Sequence, residues 1–565
     1  MRIWTQITES TYKLLSYGFK PAKCAVTLSL NQGRENHRYD FFWHQPFFIP
    51  SIVLRMICGL VFASFLVHAN IVNAQDPNLI LTPKPPASPH INGPKIYGAR
   101  MGHPFLYRIP CTGAHPIQFS AKDLPASLQL DSATGIISGS APRKAGKYSI
   151  TLTAKNSAGT QHRTFKLVVG ERLGLTPQMG WNDWYTHYDR ITAEDVQQAA
   201  EAMIESGMAD YGYQFIGIDD AWAAKPSSDD PALNIPPRDA SGALVSNKNF
   251  PDMKGLTDYI HSKGLKVGIY TSPGPLTCAK HEGSYEHEEL DARRFADWGF
   301  DLLKYDYCSY SKVVPNPSLE DLKKPYIKMG EIIKNLDRDI VLNICQYGKG
   351  DVWNWGATVG GNSWRTTGDL GNAKDADLPG FYQIGFANAL HAQSAGPGGW
   401  NDPDYLILGR AKNSLNRKAA PEPTHLTGDE QYSYMSMWAL MASPLFFSGD
   451  MGALDEFTLN ILCNSEVIDI DQDPLGRQGR IVRKNENEFI MAKQLEDGAL
   501  AVGLFNVSGV SRTLTVPWGD LGIHGRRKLH DVWRQRDLST SNRNITVQVP
   551  SHGVVLVRLD RLHTR

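Results

Sequence analysis

The stretch FDLLKYDYCSY, residues 300–310, ends an apolar run with Lys304, Asp306 and Cys308 at every second position. Residues two apart share one face of an extended strand, so these three point one way while Tyr305 and Tyr307 point the other. A lysine on that face favours the ionised form of a neighbouring aspartate, which is the form a nucleophile needs. Polar residues close other apolar runs too: Trp181, Asn182 and Asp183 in MGWND, Asp219 and Asp220 in YQFIGIDD, and Tyr270 in LKVGIYT. Cys345 and Gln346 follow DIVLNI, Arg365 and Asp369 lie in SWRTTGDL, and GGWNDPD carries Asp404. One strand-terminal aspartate often only caps the next helix, but so many such endings point to a shared site. Carboxylates, a lysine, an arginine and aromatic rings, with no evident phosphate loop, suit a substrate made of hydroxyl groups. Cleaving a glycosidic bond takes two carboxyl groups, one to attack or direct water and one to protonate the leaving oxygen. Asp306 fits the first role, and Asp369, outside the lysine row, the second. Asp219 and Asp220 can accept charge-assisted hydrogen bonds from sugar hydroxyls.

These residues need a frame that gathers many strand ends on one face. In ITAEDVQQAAEAMIESG, Thr192 reads as a helix N-cap with Asp195 three residues on, Val196, Ala200, Met203 and Ile204 form the apolar stripe, and Gly207 is the stop. The strand YQFIGIDD follows at once. The same grammar recurs in MKGLTDYIHSKG with LKVGIYT and in ELDARRFADWG with FDLLKYD. It predicts parallel β/α units closed into a (β/α)8 TIM barrel over residues 174–478, with the active site at the carboxyl ends of its strands.

The flanks read differently, so the chain is multidomain. Residues 95–170, with LQLDSATGIISG and GKYSITLTAKNSAG, predict an Ig-like β-sandwich, and the Pro-rich residues 76–94 an extended, solvated linker. Residues 479–565 predict a C-terminal antiparallel β-sandwich. Residues 1–75 hold the apolar run FFIPSIVLRMICGLVFASFLV, broken by Pro50 and Arg55, and read as a signal region cleaved after Ala74; Met56 is a candidate start, and an uncleaved anchor helix is the alternative. Export to a secreted or periplasmic location implies an oxidising compartment, in which Cys111, Cys278, Cys308, Cys345 and Cys463 can include a disulfide and leave at least one thiol free. With 58 basic and 58 acidic residues, the chain offers no electrostatic reason to expect nucleic acid or an anionic membrane as partner.

The motifs MGWNDW, GIDDAW, GLKVGIY, DLLKYDYC, SWRTTGD, GPGGWNDPD and IDQDPLGRQG occur in this order. They resemble the signatures of the melibiase-type α-galactosidases, the retaining clan-D glycoside hydrolases of family 27, over residues 174 to about 480. The resemblance implies that Asp306 forms the glycosyl-enzyme and that Asp369 serves as general acid and then base. It implies that Asp219 and Asp220 hold the 4- and 6-hydroxyls of galactose, Lys304 the 3- and 4-hydroxyls, and Arg365 the 2-hydroxyl. Trp181 and Tyr270 would line the pocket, Cys345, Tyr347 and Asp404 would also touch substrate, and Cys278 would pair with Cys308. No cofactor or metal is implied, and the expected partner is a galactoside. His281 and His287 in HEGSYEHEEL lack the spacing of a helical zinc motif and read as part of a solvated loop.

The chain departs from the family pattern in places. QYGKGDVW follows Cys345 where many members carry Glu-Trp, in the loop that distinguishes a 2-hydroxyl from a 2-acetamido group, so α-N-acetylgalactosaminide cleavage stays open. The intact Asp219–Asp220 pair disfavours β-L-arabinopyranosides. Ala221 stands where a cysteine is frequent, Tyr405 where methionine is common, and residues 226–242 form a long polar insertion that reads as a lid or a tolerated loop. A non-catalytic carbohydrate-binding protein, suggested by the Ig-like module, is disfavoured because binding alone does not need both Asp306 and Asp369.

Overall fold

Eight short parallel strands carry the catalytic region: β1 (Met179–Asn182), β2 (Phe215–Gly217), β3 (Lys266–Thr271), β4 (Leu302–Asp306), β5 (Val341–Cys345), β6 (Ser363–Arg365), β7 (Trp400–Asp402) and β8 (Leu445–Phe447). The computed structural model describes residues 79–372, 378–412 and 418–562. The expected signal region, Ala74 included, lies outside them. Neighbouring strands run in sequence order from β7 to β1, β8 pairs with β1, and a parallel bridge between Leu406 and Phe447 joins the two ends. The result is the expected barrel.

Its helices form where the sequence places their caps. In α1 (Ala193–Glu205) the Thr192 hydroxyl accepts the Asp195 N–H while the Asp195 carboxylate accepts the Thr192 N–H, and Gly207 leaves the helix at φ 81°. Helices α2 (Met253–Ser262), α3 (Glu288–Trp298), α4 (Leu319–Lys334) and α5 (Gly380–Asn388) follow on the outside of the strands. Between β5 and β6 the regular alternation fails. Two short 3-10 turns, Val352–Asn354 and Gly356–Val359, replace the helix, and there a Cβ on Gly330 of α4 would lie 1.9 Å from the Val359 carbonyl oxygen. Helix α6 (Gly428–Leu440) is buried on almost every side because strands Leu500–Asn506 and Val554–Arg561 of the last domain pack against it.

The N-terminal module stacks a four-stranded sheet (Ile96–Ala99, Gly159–Val169, Gly146–Asn156, Gln118–Lys122) on a three-stranded one (Pro104–Arg108, Ile136–Ser140, Leu128–Leu130), around Tyr107, Ile137, Leu152 and Phe165. A further strand, His90–Ile91, pairs with Cys111–Thr112 inside the stretch read as linker. Residues 83–87 of that stretch are exposed, whereas Leu79, Leu81 and Thr82 before them bond to the barrel. Leu81 N–H donates to the Tyr432 hydroxyl at 3.0 Å, Thr82 N–H to Asn460 Oδ1 at 2.7 Å, and the Tyr432 hydroxyl to the Leu79 carbonyl at 2.8 Å. An extended proline-rich segment leaves backbone groups unpaired, and here the barrel's side chains take them up.

The module sits against the amino ends of the strands. Arg100 N–H donates to Asp339 Oδ2 at 3.0 Å, His103 Nδ1 lies 2.9 Å from Asp339 Oδ1, and the Lys266 ammonium lies 5.4 Å from the Tyr97 ring centroid. Lys266 opens β3 and Asp339 precedes β5, so this contact is at the end of the barrel opposite the strand carboxyl ends. The C-terminal domain packs a six-stranded antiparallel sheet on a two-stranded one, Arg512–Pro517 with Asn544–Val549, around Val502, Leu504, Val516, Trp518 and Val557. Among the described residues no helix is long and apolar enough to cross a membrane. Replacing Asp339 by alanine removes the acceptor shared by Arg100 and His103 and is expected to destabilise the chain by about 1–3 kcal/mol, read as a lower denaturant midpoint. An unchanged midpoint would show that the module contributes nothing to the barrel through this contact.

Candidate active site

Strand β4 answers the question its sequence poses. Tyr305 turns outward, where its ring meets Tyr326 of α4 edge-on at 5.6 Å, while Lys304 and Asp306 face the barrel axis. Register then sets their neighbours: Lys304 lies beside Tyr270 of β3 and Asn343 of β5, and Asp306 beside Cys345. The lysine ammonium reaches across to Asp219 Oδ2 at 2.7 Å, and that oxygen also accepts from Asn182 Nδ2 at 2.9 Å and the Tyr405 hydroxyl at 3.1 Å. Rings of Tyr270 and Tyr405 flank the ammonium, their centroids 5.2 and 5.1 Å away.

Among the described residues, no cation is in direct contact with Asp306. Its Oδ1 accepts the Tyr347 hydroxyl at 2.7 Å and the Tyr307 N–H at 2.6 Å, and its Oδ2 accepts the Tyr270 hydroxyl at 3.0 Å. On the far side, Arg365 of β6 holds Asp404 Oδ1 at 3.1 Å and Asp369 Oδ1 at 3.2 Å, and its Nη1 lies 3.8 Å from Cys345 Sγ. Asp404 Oδ2 takes the Leu370 N–H at 2.7 Å and the Tyr185 hydroxyl at 3.1 Å, so the residue after Asp369 is anchored as well. The Asp369 side chain is 34% exposed, whereas Asp306 is 4% exposed and Asp404 1%.

The loops that hold these groups are strained. Ala221, Tyr347 and Asp404 adopt φ of 86°, 65° and 90°, conformations that cost free energy and persist only where surrounding contacts enforce them. Gly348 follows Tyr347 at φ 80°, and any Cβ there would lie 2.3 Å from the Thr366 carbonyl oxygen. This turn aims the Tyr347 hydroxyl at Asp306. Cys278 and Cys308 form a disulfide with Cα atoms 5.1 Å apart, tying the chain after β4 to the loop after β3. That loop donates Ala279 N–H to Asp220 Oδ2 at 2.7 Å, and His281 Nδ1 bonds the Ala223 carbonyl at 2.7 Å, so His281 is fully buried rather than solvated. The insertion at 226–242 is pinned by Arg238, which bonds Asp291 at 2.8 and 3.2 Å, Glu282 at 3.3 Å and the Gly283 carbonyl at 2.8 Å. It is a built wall.

Burial dominates the electrostatics. It pushes the Asp306 carboxyl up to about 6 against the opposing pull of Lys304 and the Tyr347 hydroxyl, and the negative charge of Asp369 pushes it further in the same direction. Burial likewise raises Asp220 to about 6, opposed by the Ala279 N–H, and Asp404 to about 6, opposed by Arg365. The Cys345 thiol, 1% exposed, is held well above its ordinary range by burial.

Most residues singled out in the sequence therefore converge at the strand carboxyl ends: Asp219, Asp220, Tyr270, Lys304, Asp306, Cys345, Tyr347, Arg365, Asp369 and Asp404. Trp181 does not line this site. Its ring has no exposed surface, and its indole N–H donates to the Gly449 carbonyl at 2.9 Å inside the barrel core. In MGWNDW the half-buried indole is that of Trp184. Tyr185 and the Asp219-bound hydroxyl of Tyr405 have structural partners that the sequence does not reveal, since an aromatic beside a strand end looks the same whether it packs in the core or bonds a carboxylate.

A barrel whose strand ends present this set of carboxylates, a buried lysine and a buried arginine is that of a glycoside hydrolase. The profile of the family described as Alpha galactosidase A matches residues 176–473, that of the Alpha galactosidase C-terminal beta sandwich domain residues 489–559, and an Ig domain profile residues 89–170. The chain belongs to the α-galactosidase A family. Alpha-galactosidase 2 of Arabidopsis thaliana is 35% identical over 421 residues, covering 73% of this chain and 96% of that protein. Alpha-galactosidase A of Cellvibrio japonicus is 33% identical, covering 69% and 93%. Among solved structures, a candidate α-galactosidase from Bacteroides fragilis superposes with a TM-score of 0.77 at 35% identity over 86% of this chain and 99% of that one. The α-galactosidase I of Mortierella vinacea gives 0.61 at 28%, covering 68% and 97%.

Replacing Tyr347 by phenylalanine removes a hydrogen bond that favours the Asp306 carboxylate. Such bonds to charged groups are worth about 1.5–3 kcal/mol, so the Asp306 carboxyl should titrate about 1–2 units higher in this variant, read by carbon NMR of labelled aspartate. A titration unmoved by the substitution would contradict the hydrogen bond.

Proposed function

We propose that the protein hydrolyses terminal α-galactosides with net retention, through a double displacement that uses Asp306 as nucleophile and Asp369 as acid and base. The observation that carries this reading is the division of labour between the two carboxyl groups. Asp306 is buried, has no direct cation among the described residues and is aimed by two tyrosine hydroxyls, which leaves its charge available to an electrophilic carbon. Asp369 is held in place by Arg365 and is partly exposed, so water can reach it for the second half-reaction. In the first, the anomeric carbon forms a bond to Asp306 as the glycosidic bond breaks and Asp369 gives its proton to the leaving oxygen. In the second, Asp369 removes a proton from water, whose oxygen displaces Asp306.

The polar residues around this pair then sort the sugar. In this reading Asp219, with its lysine partner, and Asp220 receive hydroxyls on one side, and Arg365 is assigned to the 2-hydroxyl. Gln346 is 1% exposed and donates to the Lys349 carbonyl at 2.7 Å, so it belongs to the loop's interior. The relatives that this chain matches over most of their length are named α-galactosidases, which favours galactose as the sugar. We assign the protein no resident metal or cofactor: the reaction needs only carboxyl groups and water.

The deciding assay is a panel of nitrophenyl glycosides with Asp306→Asn as control. The α-galactoside is expected to be cleaved, and the substitution to lower turnover by about three orders of magnitude or more. Release of N-acetylgalactosamine with galactosides untouched would overturn the sugar assignment. Asp369→Ala should slow alkyl galactosides far more than nitrophenyl galactosides, because nitrophenolate leaves without a proton; equal losses on both would remove Asp369 from the acid role. The pH profile has a defined sign. The nucleophile works only when deprotonated, so kcat/KM should fall as pH drops through about 6, above the ordinary carboxylate range. An acidic limb near 4 would contradict the burial of Asp306.

A further inference from the structure

Asp183 takes no part in the displacement, yet it is a fully buried carboxyl beside the lysine side of the site. The backbone explains why something must stand there. Ile218 N–H still bonds the Gly268 carbonyl of β3, but the chain then leaves the ladder towards Ala221, so the buried Asp219 N–H needs another acceptor. Asp183 Oδ1 supplies it at 2.6 Å. Its Oδ2 is buried and, among the described residues, has no hydrogen-bond partner.

Two charges face Asp183: the Asp219 carboxylate beyond β2 and the Lys304 ammonium of β4. The ammonium is already 2.7 Å from Asp219 Oδ2, which also accepts from Asn182 and Tyr405. One cation cannot neutralise two adjacent carboxylates, and a bare anionic oxygen in a dry interior costs more than a neutral carboxyl. Burial first, and then the Asp219 charge, push the proton affinity of Asp183 well up.

We propose that Asp183 is a positioning residue: an uncharged carboxyl whose Oδ1 holds the Asp219 peptide, and with it the Asp219 carboxylate, against Lys304, Asn182 and Tyr405. The inference deepens the function proposed above and rests on Asp219 receiving a sugar hydroxyl. An asparagine keeps the acceptor oxygen and the neutral charge, whereas an alanine keeps neither oxygen.

The test compares Asp183→Asn and Asp183→Ala in the full-length protein, using nitrophenyl α-galactoside across pH and infrared difference spectra at neutral pH. The asparagine variant should keep kcat/KM within about 3-fold and leave the acidic limb in place, while the alanine variant should lose about 10-fold or more, mainly through KM. Wild type minus Asp183→Asn should show the carbonyl band of a protonated carboxylic acid. An asparagine variant as impaired as the alanine one, a displaced acidic limb, or a missing protonated band would each overturn the proposal. If the alanine variant does not fold, the asparagine pH profile and the infrared band still decide it. A wild-type enzyme inactive on α-galactosides would overturn the function reading and the kinetic half of this one, while the band independently reports the charge on Asp183.

Discussion

Two buried cations serve a larger number of buried carboxyl groups, and the rest of the site follows from how they are shared. Lys304 is committed to Asp219, and Arg365 is divided between Asp404 and Asp369. Asp306 has neither as a direct partner and relies on the hydroxyls of Tyr270 and Tyr347. Coulomb attraction in a site of low polarity is strong, so a carboxylate pressed directly against lysine would be stabilised as an anion and made a poor nucleophile. Lys304, on the same strand face but bonded elsewhere, biases Asp306 towards the charged form without quenching it. Strained backbone at Ala221, Tyr347 and Asp404 is the cost of aiming these groups, and the disulfide, the Asp404 anchor on Leu370 and the Arg238 network hold that backbone in place.

The flanking domains act on the barrel from outside the site. The Ig-like module contacts the amino ends of the strands through Tyr97, Arg100 and His103, at the opposite end from the carboxyl groups. Among its described residues the large apolar side chain with high exposure is Met101, and its aromatic rings are buried or half-buried. These features fit a plate under the barrel better than an arm that gathers sugar. The C-terminal sandwich has a comparable relation to α6, whose second apolar face it covers.

Much of this was legible in the sequence because period and punctuation are local. The Thr192–Asp195 cap, the glycine stops at 207, 264 and 299, and the alternation in FDLLKYD each reflect one element's own geometry, and the structure forms each of them. What stayed hidden depends on contacts between distant residues. A two-residue strand at His90–Ile91 has too little pattern to show, and the docking of Leu81 and Thr82 rests on Tyr432 and Asn460, more than three hundred positions away. Trp181 and Trp184 are three residues apart with the same chemistry, so only packing reveals that Trp181 fills the core. The missing helix between β5 and β6 lies in a glycine-rich segment that carries no strong signal of either kind. Asp183 read as one more strand-end carboxylate, and its distinct place appears only from the orphaned oxygen.

The most direct test of the account is to trap the covalent intermediate. A fluorinated galactoside with a good leaving group slows both half-reactions but the second more, so label should accumulate on the protein and be located by mass spectrometry of its peptides. The account predicts one fluorogalactosyl group on the peptide containing Asp306, lost again when the enzyme turns over. Label on a different residue, or release of sugar with inverted anomeric configuration and no label at all, would contradict it.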